Sequence, residues 1–437
     1  MTRIIPDAVQ SARQLPAEAD VVIIGGGIIG ASAALFLAEA GVRVVLCEKG
    51  IIAGEQSSRN WGWVRQMGRD LFEIPLSMRS ATLWSGMNER TGEETGFRRT
   101  GVSYLCATEN DERFYQDWLD KVRDLNLDSR MLTGSEIDQQ ITGIRPGYKA
   151  ALYTSSDGRA EPLLAVPAIA RAAARAGATV AAGCAVRSIE RAAGRVSSVV
   201  TEVGEIRCHS VVLAGGAWSR LFCGNIGIDF PQLHILGSVA RVTGIQGMSD
   251  MPVGGSDFSF RKRLDGTFTV ALRNANIASI TLDSFRLLTD FLPLLKKGWK
   301  EFHLRLGSPF LRSLTMKRSW RPDEITDFER IRILDPAPHE AFNRRGFQNL
   351  IKSFPAFAGS RVMQTWGGMI DVTPDAVPVI GAVNTLPGFY LATGFSGHGF
   401  GIGPAAGEMV ADIVLGRPPK VDPYPFRPER LTGFKAA

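Results

Sequence analysis

The stretch VVIIGGGIIGASAALFLAEAGVRVVLCEKG, residues 21–50, leaves the chain few ways to fold. Residues 20–25 are mostly β-branched and apolar, the pattern of a strand buried on both faces. Residues 28–40, rich in alanine and leucine, predict a helix that ends at Gly41, and VRVVLCE predicts a second buried strand. The unit is strand, helix, parallel strand, and its glycines then have separate tasks. Gly25 permits the tight strand-to-helix turn, Gly27 lets a pyrophosphate approach the backbone, and Gly30 lets the helix pack on the strand. Unpaired N–H groups at the helix N-terminus face such a phosphate. Glu48, 18 residues after Gly30, closes the second strand, where a carboxylate accepts from ribose hydroxyls and repels a 2′-phosphate. Dinucleotide binding follows, with NADP disfavoured; the turn alone does not separate FAD from NAD.

A chain of 437 residues, 45% of them hydrophobic, exceeds one compact core, so two domains are expected. The net charge of +6 is spread along the chain with no lysine/arginine block, which argues against a nucleic-acid partner. The five cysteines (Cys47, Cys106, Cys184, Cys208 and Cys223) form no CxxC pair, and the histidines have no ligand spacing; neither a disulfide framework nor a metal site is expected. The N-terminus lacks the apolar core of a signal peptide, and no apolar run is long enough to span a bilayer. A cytoplasmic setting is the expectation.

Beyond Glu48 lies a polar, glycine-punctuated loop. In it Ser57, Ser58 and Arg59 offer donors where a pyrophosphate would pass, and Trp61 and Trp63 either wall an active site or fill core. Residues 160–177 read as a helix, and residues 211–214, followed by Gly215 and Gly216, read as a buried strand returning to the parallel sheet. Residues 229–275 alternate polar and apolar, which predicts an antiparallel sheet and a second domain. In residues 284–318, Leu288, Phe291, Leu292, Leu295, Trp299, Phe302 and Leu306 fall at helical spacing, with Arg286, Lys296, Lys297, Lys300 and Arg305 mostly elsewhere and Pro293 as a kink. Such a basic amphipathic helix either lies on an anionic membrane or packs on the second domain. Near the C-terminus GFSGHGFGIGPAAGEMVADIVLG places a second glycine-rich turn before a second helix, with Pro404 at its start and Gly416 at its stop. A positive helix end beneath a flavin stabilises its reduced anion, which favours FAD over NAD. The expected architecture is α/β: a Rossmann-type domain (18–95, 150–228 and 340–437) interleaved with an antiparallel-sheet substrate domain (96–149 and 229–339).

Several segments carry a specific resemblance: AGEQSSRN, VVLAGGAWSRLF, WGGMIDVTPDAVPVIG and the last glycine segment. They resemble the D-amino-acid-oxidase-like FAD oxidoreductases, which act on C–N bonds of amino acids and amines. Within that group EKGIIAGEQSSR, LWSGMNERTG, VVLAGGAWSRLFCGNIGIDFP and GPAAGEMVADIVLG are similar to the bacterial L-amino acid deaminases, as is DSFRLLTDFLPLL, which that family has as a membrane-associated insert. The resemblance implies FAD contacts at Gly25, Gly27, Ile28, Ile29, Gly30, Glu48, Lys49, Gln56, Ser57, Ser58 and Arg59. Further along it implies contacts at Val186, Ala214, Gly215, Trp218, Trp366, Gly368, Gly397, His398, Gly399, Phe400 and Gly401. Three departures mark a different substrate pocket. The family's initial membrane-spanning helix has no counterpart, Val239 and Ala240 follow Ser238 where the family has two glutamines, and His398 replaces a tryptophan. No cysteine follows Cys223, so the FAD is expected to be non-covalent.

The implied reaction is dehydrogenation of an amino acid or amine: hydride goes to the flavin, and the resulting imine is hydrolysed to a carbonyl compound and ammonia. Arg273, in VALRN, matches the family's carboxylate-binding arginine, and a planar guanidinium suits that task. His398 and Trp63 are the other candidates at the reacting centre; Arg65 and Arg69 are weaker carboxylate ligands than Arg273, with a solvated or phosphate-side charge as the favoured reading of each. The electron acceptor is oxygen or a respiratory-chain component. Alternatives left open are D-amino, N-alkyl amino or imino acids, polyamine derivatives, and a nucleotide-binding subunit that only docks partners.

Overall fold

The computed structural model describes residues 4–298 and 301–436. Its six-stranded sheet runs in the order Val379–Ala382, Phe389–Thr393, Ser210–Leu213, Val21–Ile24, Val44–Glu48, Thr179–Ala182. All neighbours are parallel except the outermost pair, Val379–Ala382 with Phe389–Thr393. The central strands are covered on both faces, which is why they read as unbroken aliphatic runs. On one face lie the helices Ile28–Glu39, Pro162–Arg175 and Gly399–Val414; a three-stranded antiparallel sheet, Val186–Ala192, Arg195–Thr201 and Gly204–Arg207, covers the other.

The helices Ile28–Glu39 and Gly399–Val414 meet almost without intervening side chains. A Cβ on Gly403 would lie 2.5 Å from Ile28 Cγ1, and one on Gly407 2.4 Å from Ser32 Cβ. The second helix begins at Gly399, so Pro404 sits in its second turn and not at its start. Gly416, at φ +65°, ends it as expected.

The second sheet has ten strands, antiparallel except where Val253–Gly254 meets Val102–Cys106 and Asn276–Ser279 meets Phe302–Arg305, and Leu233–Val242 is its branch point, pairing with three strands. It draws in more of the C-terminal third than the sequence suggests. Residues 340–372, expected in the nucleotide-binding domain, belong here: the Val362–Val372 strand pairs with Leu233–Val242 along nearly its whole length. The helix Glu340–Ser353 packs so tightly on the neighbouring strand that a Cβ on Gly346 would lie 2.6 Å from Leu272 N. The glycines of WGGMIDV mimic a nucleotide turn, while backbone pairing decides the placement. The Ala150–Thr154 strand likewise pairs with Val102–Cys106 instead of joining the parallel sheet. Helix cover also explains why Phe268–Ala271 is buried on both faces instead of alternating.

The amphipathic segment is not one helix. It forms the helices Leu282–Arg286 and Leu288–Gly298, a strand Phe302–Arg305 and a helix Ser308–Thr315. Phe302 leaves the helical stripe because its strand finds a partner at the sheet edge, Asn276–Ser279, and Leu306 lies beyond that strand; Trp299 and Lys300 lie outside the described residues, as does the Lys297 side chain. Pro293 lies inside the second helix. Leu287 and Phe291 pack on Val372 with Leu233 and Ile235, so part of the stripe is core. Phe285, Leu288, Leu292, Leu304, Leu306, Leu311 and Leu314 stay exposed. Among the described residues no helix is long and apolar enough to cross a membrane, no group of side chains could hold a metal ion, and all five cysteines are free and buried.

The helix contact yields a direct test. Gly407→Val drives a branched side chain into Ser32 and should cost about 1–3 kcal/mol or more in stability. Gly359→Ala, at a position with nothing within 4 Å of the added Cβ, should change stability by less than about 0.5 kcal/mol. Thermal melts of the two variants check this.

Candidate functional site

At the carboxyl ends of the parallel strands, where the two helices start, lies a crevice of about 1220 Å³, its open mouth included. Its geometry follows from the turn that opens it. Gly25 has φ +112°, and a Cβ there would sit 2.4 Å from Ala214 O; a Cβ on Gly30 would sit 2.0 Å from Gly25 O. Both positions exclude any side chain, so the helix begins directly against the strand end. Ser57 Oγ accepts from Ile28 N at 2.9 Å, and neither N-cap residue, Gly27 or His398, bonds its helix with its side chain.

Glu48 accepts from Gly26 N and Gly50 N, both at 2.7 Å, which pins its carboxylate beside the glycine turn; burial pushes its carboxyl up, against those two bonds. Lys49 Nζ reaches Glu55 Oε1 at 2.6 Å and lies 4.5 Å from the centre of the Trp218 ring. Gly25, Gly27, Ile28, Ile29, Glu48, Lys49, Gln56 and Ser57 line the crevice. Val186, Ala214, Gly215, Trp218, Gly397, Gly399 and Phe400 line the rest.

Other expected contacts lie behind this lining, each for a physical reason. Gly30 is packed against Gly25 O. Ser58 Oγ donates to Glu55 O at 3.0 Å, and Arg59 donates to Gly54 O and to Asp335 at 2.9 Å, so both are braces for the loop and not pyrophosphate donors. Trp366 Nε1 donates to Arg59 O at 3.0 Å, and Gly368 lies against Gln56 and Arg59. Gly401 faces Trp63 O and Val64. Two acids that line the crevice were missed. Glu55 collects Lys49, the Trp218 indole and Leu334 N. Asp371 accepts from Gly394 N at 2.8 Å and Phe395 N at 3.3 Å and so fixes the second glycine bend. An aspartate inside the apolar run GGMIDV was the available signal, since a buried carboxylate needs donors.

Next to the crevice is a cluster of aromatic rings and arginines. Trp63 is buried, with its ring 5.6 Å from that of Trp61 and 5.8 Å from that of Tyr104. The Arg273 guanidinium lies 3.9 Å from the Tyr104 centroid and donates to Gly255 O and to Tyr115 Oη, each at 3.1 Å. Neither Trp63 nor Arg273 lines the crevice itself. His398, between the lining glycines Gly397 and Gly399, places Nδ1 3.0 Å from the buried Glu73. Burial holds the His398 ring below its usual pKa. Burial alone would raise Glu73, but His398, then Arg69 and Arg65, outweigh it and hold its carboxyl low. A neutral His398 that donates from Nδ1 to the Glu73 carboxylate fits both directions.

These features fit FAD on three structural grounds. Two helix ends receptive to an anion converge on one crevice, glycines leave its floor without side chains, and the buried acceptor Gln56 Oε1 lacks a partner among the described residues. Fold and crevice thus define an oxidoreductase that binds a dinucleotide cofactor. The chain belongs to the DAO family of FAD dependent oxidoreductases, whose members match it over residues 20–413. It is similar to the structure of L-amino acid deaminase from Proteus myxofaciens in complex with anthranilate, at 36% identity and a TM-score of 0.94, covering 99% of this chain and 100% of that one. Glycine oxidase from Pseudomonas aeruginosa is 25% identical, with 93% of this chain and 98% of that protein covered. Mouse mitochondrial sarcosine dehydrogenase is also 25% identical over 95% of this chain, which spans only 42% of that longer protein.

The loop that carries Trp63, Arg65 and Arg69 is anchored by Asp157, which accepts from Gln66 N at 2.7 Å and Met67 N at 3.2 Å. Burial pushes Asp157 up to about 7. The unfolded carboxyl titrates near 3.9, so between about pH 4 and 7 the folded state binds the extra proton, and this group lowers stability as pH rises through that window. Asp157→Asn should remove that component. The stability difference between wild type and variant, followed by urea unfolding from pH 4 to 8, should change across the window and level off above it.

Proposed function

We propose that the chain oxidises the C–N bond of an α-amino acid, in the manner of an L-amino acid deaminase, giving a keto acid and ammonia after water hydrolyses the imino acid. The similarity to the Proteus myxofaciens deaminase along the whole chain is the observation that carries this reading. Gly25, Gly27, Ile28 and Ser57 would hold the pyrophosphate of FAD, Glu48 a ribose, and the Gly397–Phe400 bend the flavin end. Bound FAD supplies a two-electron hydride acceptor.

The protein's own groups have to orient the substrate and shed its protons. Arg273, held rigid by Tyr104, Tyr115 and Gly255 O, presents a fixed fork for the α-carboxylate. His398, with Nδ1 committed to Glu73, keeps Nε2 as the ring's acceptor, suited to taking the ammonium proton so that the amine is neutral when the α-hydrogen leaves. The buried rings of Trp63 and Tyr104 would keep water from a substrate held beside Arg273. A second reading, oxidation of an N-alkyl amino acid, is supported by the similarity to sarcosine dehydrogenase; there the product amine would be alkylated.

The FAD-loaded protein should bleach anaerobically with amino acids and not with amines that lack a carboxylate. Arg273→Ala should lower kcat/KM by roughly 100-fold, the loss of about 3 kcal/mol of charge-assisted hydrogen bonding, with FAD still bound. Bleaching by sarcosine but by no primary amino acid would move the assignment to the N-alkyl reading. The exposed leucines of the insert, beside Arg286, Arg305 and Arg312, support a peripheral contact with an anionic membrane and hence a respiratory acceptor. Sedimentation with anionic vesicles should pull down the protein at low salt, and the double variant Leu306→Glu, Leu311→Glu should stay in solution.

A further inference from the structure

Several interior arginines elsewhere in this fold have acids, although among the described residues the buried Arg159 meets only the backbone at Asp250 O. Arg59 meets Asp335 at 2.9 Å, Arg261 meets Glu161 at 2.7 Å, and Arg187 meets Glu329 at 2.8 Å. The arginines of the aromatic cluster form no ion pair among the described residues. Arg273 and Arg65 flank one ring, with their guanidinium carbons 3.9 and 5.5 Å from the Tyr104 centroid. Among the described residues Arg65 donates to the backbone at Met67 O. Arg69 is 95% buried by its 5% exposure, its Nε reaches Arg65 O at a marginal 3.5 Å, and its Nη1 has no partner among the described residues. Of the acids nearby, Glu73 bonds His398 and also feels the charges of Arg69 and Arg65, and Asp157 accepts from the backbone of Gln66 and Met67. Glu301, which acts on Arg273 at longer range, is exposed.

Arg69 is buried and Arg65 and Arg273 are half-buried, so three guanidinium groups share one small region with only the Glu73 and Asp157 carboxyls near them. One of them, Arg273, is accounted for by the α-carboxylate. The other two stand on a loop whose backbone Asp157 clamps at Gln66 and Met67, with Arg69 buried and Arg65 half-buried. We propose that the substrate carries a second carboxylate at the end of its side chain, that is, a dicarboxylic amino acid, with Arg65 as the ligand of that distal group and Arg69 supplying field behind it. This rests on the reading of the site as an amino acid oxidising centre. It adds a selectivity that a cluster of only Trp61, Trp63, Tyr104 and Tyr115 would not have, since such rings favour apolar side chains.

The test compares isosteric pairs on the FAD-loaded protein: glutamate with glutamine, and aspartate with asparagine, in both enantiomers, by anaerobic flavin reduction. The acidic member of the better pair should reduce the flavin with an apparent second-order rate constant at least tenfold higher. Arg65→Gln should cut that ratio at least tenfold, and Arg65→Lys should restore part of it. Glutarate, which has both carboxylates and no amine to oxidise, should perturb the flavin absorbance at concentrations at least tenfold lower than butyrate does, and added salt should erode that advantage. Glutamine and asparagine that reduce the flavin as fast as their acidic partners, or a ratio unchanged in Arg65→Gln, overturn the proposal. Should no amino acid reduce the flavin, the oxidation reading fails, and the glutarate comparison alone decides whether the cluster selects two carboxylates.

Discussion

Two helices that touch backbone to backbone set the geometry of everything else. Gly403 and Gly407 face Ile28 and Ser32 with no room for a Cβ, so Ile28–Glu39 and Gly399–Val414 lie in direct contact on one face of the parallel sheet. Because they pack so closely, both N-termini arrive at the same crevice, one from each end of the sequence. Their aligned peptide dipoles and unsatisfied N–H groups make that crevice receptive to negative charge before any side chain is considered. The Gly25–Gly30 contact repeats the constraint on a smaller scale, since it fixes where the first helix starts relative to its strand.

The antiparallel sheet then has to be held over that crevice. Asp371 does part of this, because its strand belongs to the second sheet while its carboxylate holds the second glycine bend at Gly394 and Phe395. Glu55 links the loop after the second strand to Trp218 and Leu334. The cluster proposed to hold substrate sits beside these joints, on a loop fixed by Asp157 and a strand end fixed by Tyr104 and Tyr115. Polar groups buried at the seam between sheets make the positions of the two halves interdependent, and with them the proposed substrate and cofactor sites.

The parallel sheet and its first turn were legible because local sequence is enough there: a strand covered on both faces must be aliphatic, and a φ of +112° at Gly25 all but demands glycine. The second glycine turn was legible for the same reason, although Pro404 misplaced its start by five residues, Gly399 to Pro404. Long-range pairing left weaker traces. Nothing in the local pattern of residues 340–372 says that they join the antiparallel sheet, because ten backbone partners on Leu233–Val242 decide it. Phe302 matched a helical stripe yet formed a strand once a sheet edge was available. Arg59 and Ser58 looked like phosphate donors from their place in the loop, but their hydrogen bonds go to the loop's own backbone and to Asp335. The arginine cluster was visible only as scattered residues until Tyr104, distant in sequence, brought Arg65 and Arg273 together.

The central claim is that FAD rests between the two helix ends. The absorbance spectrum of the protein as purified, before and after heat denaturation and removal of the precipitate, tests it most directly. The account predicts flavin bands in the native protein that pass entirely into the supernatant as free FAD. A colourless protein that takes up no added FAD would contradict it.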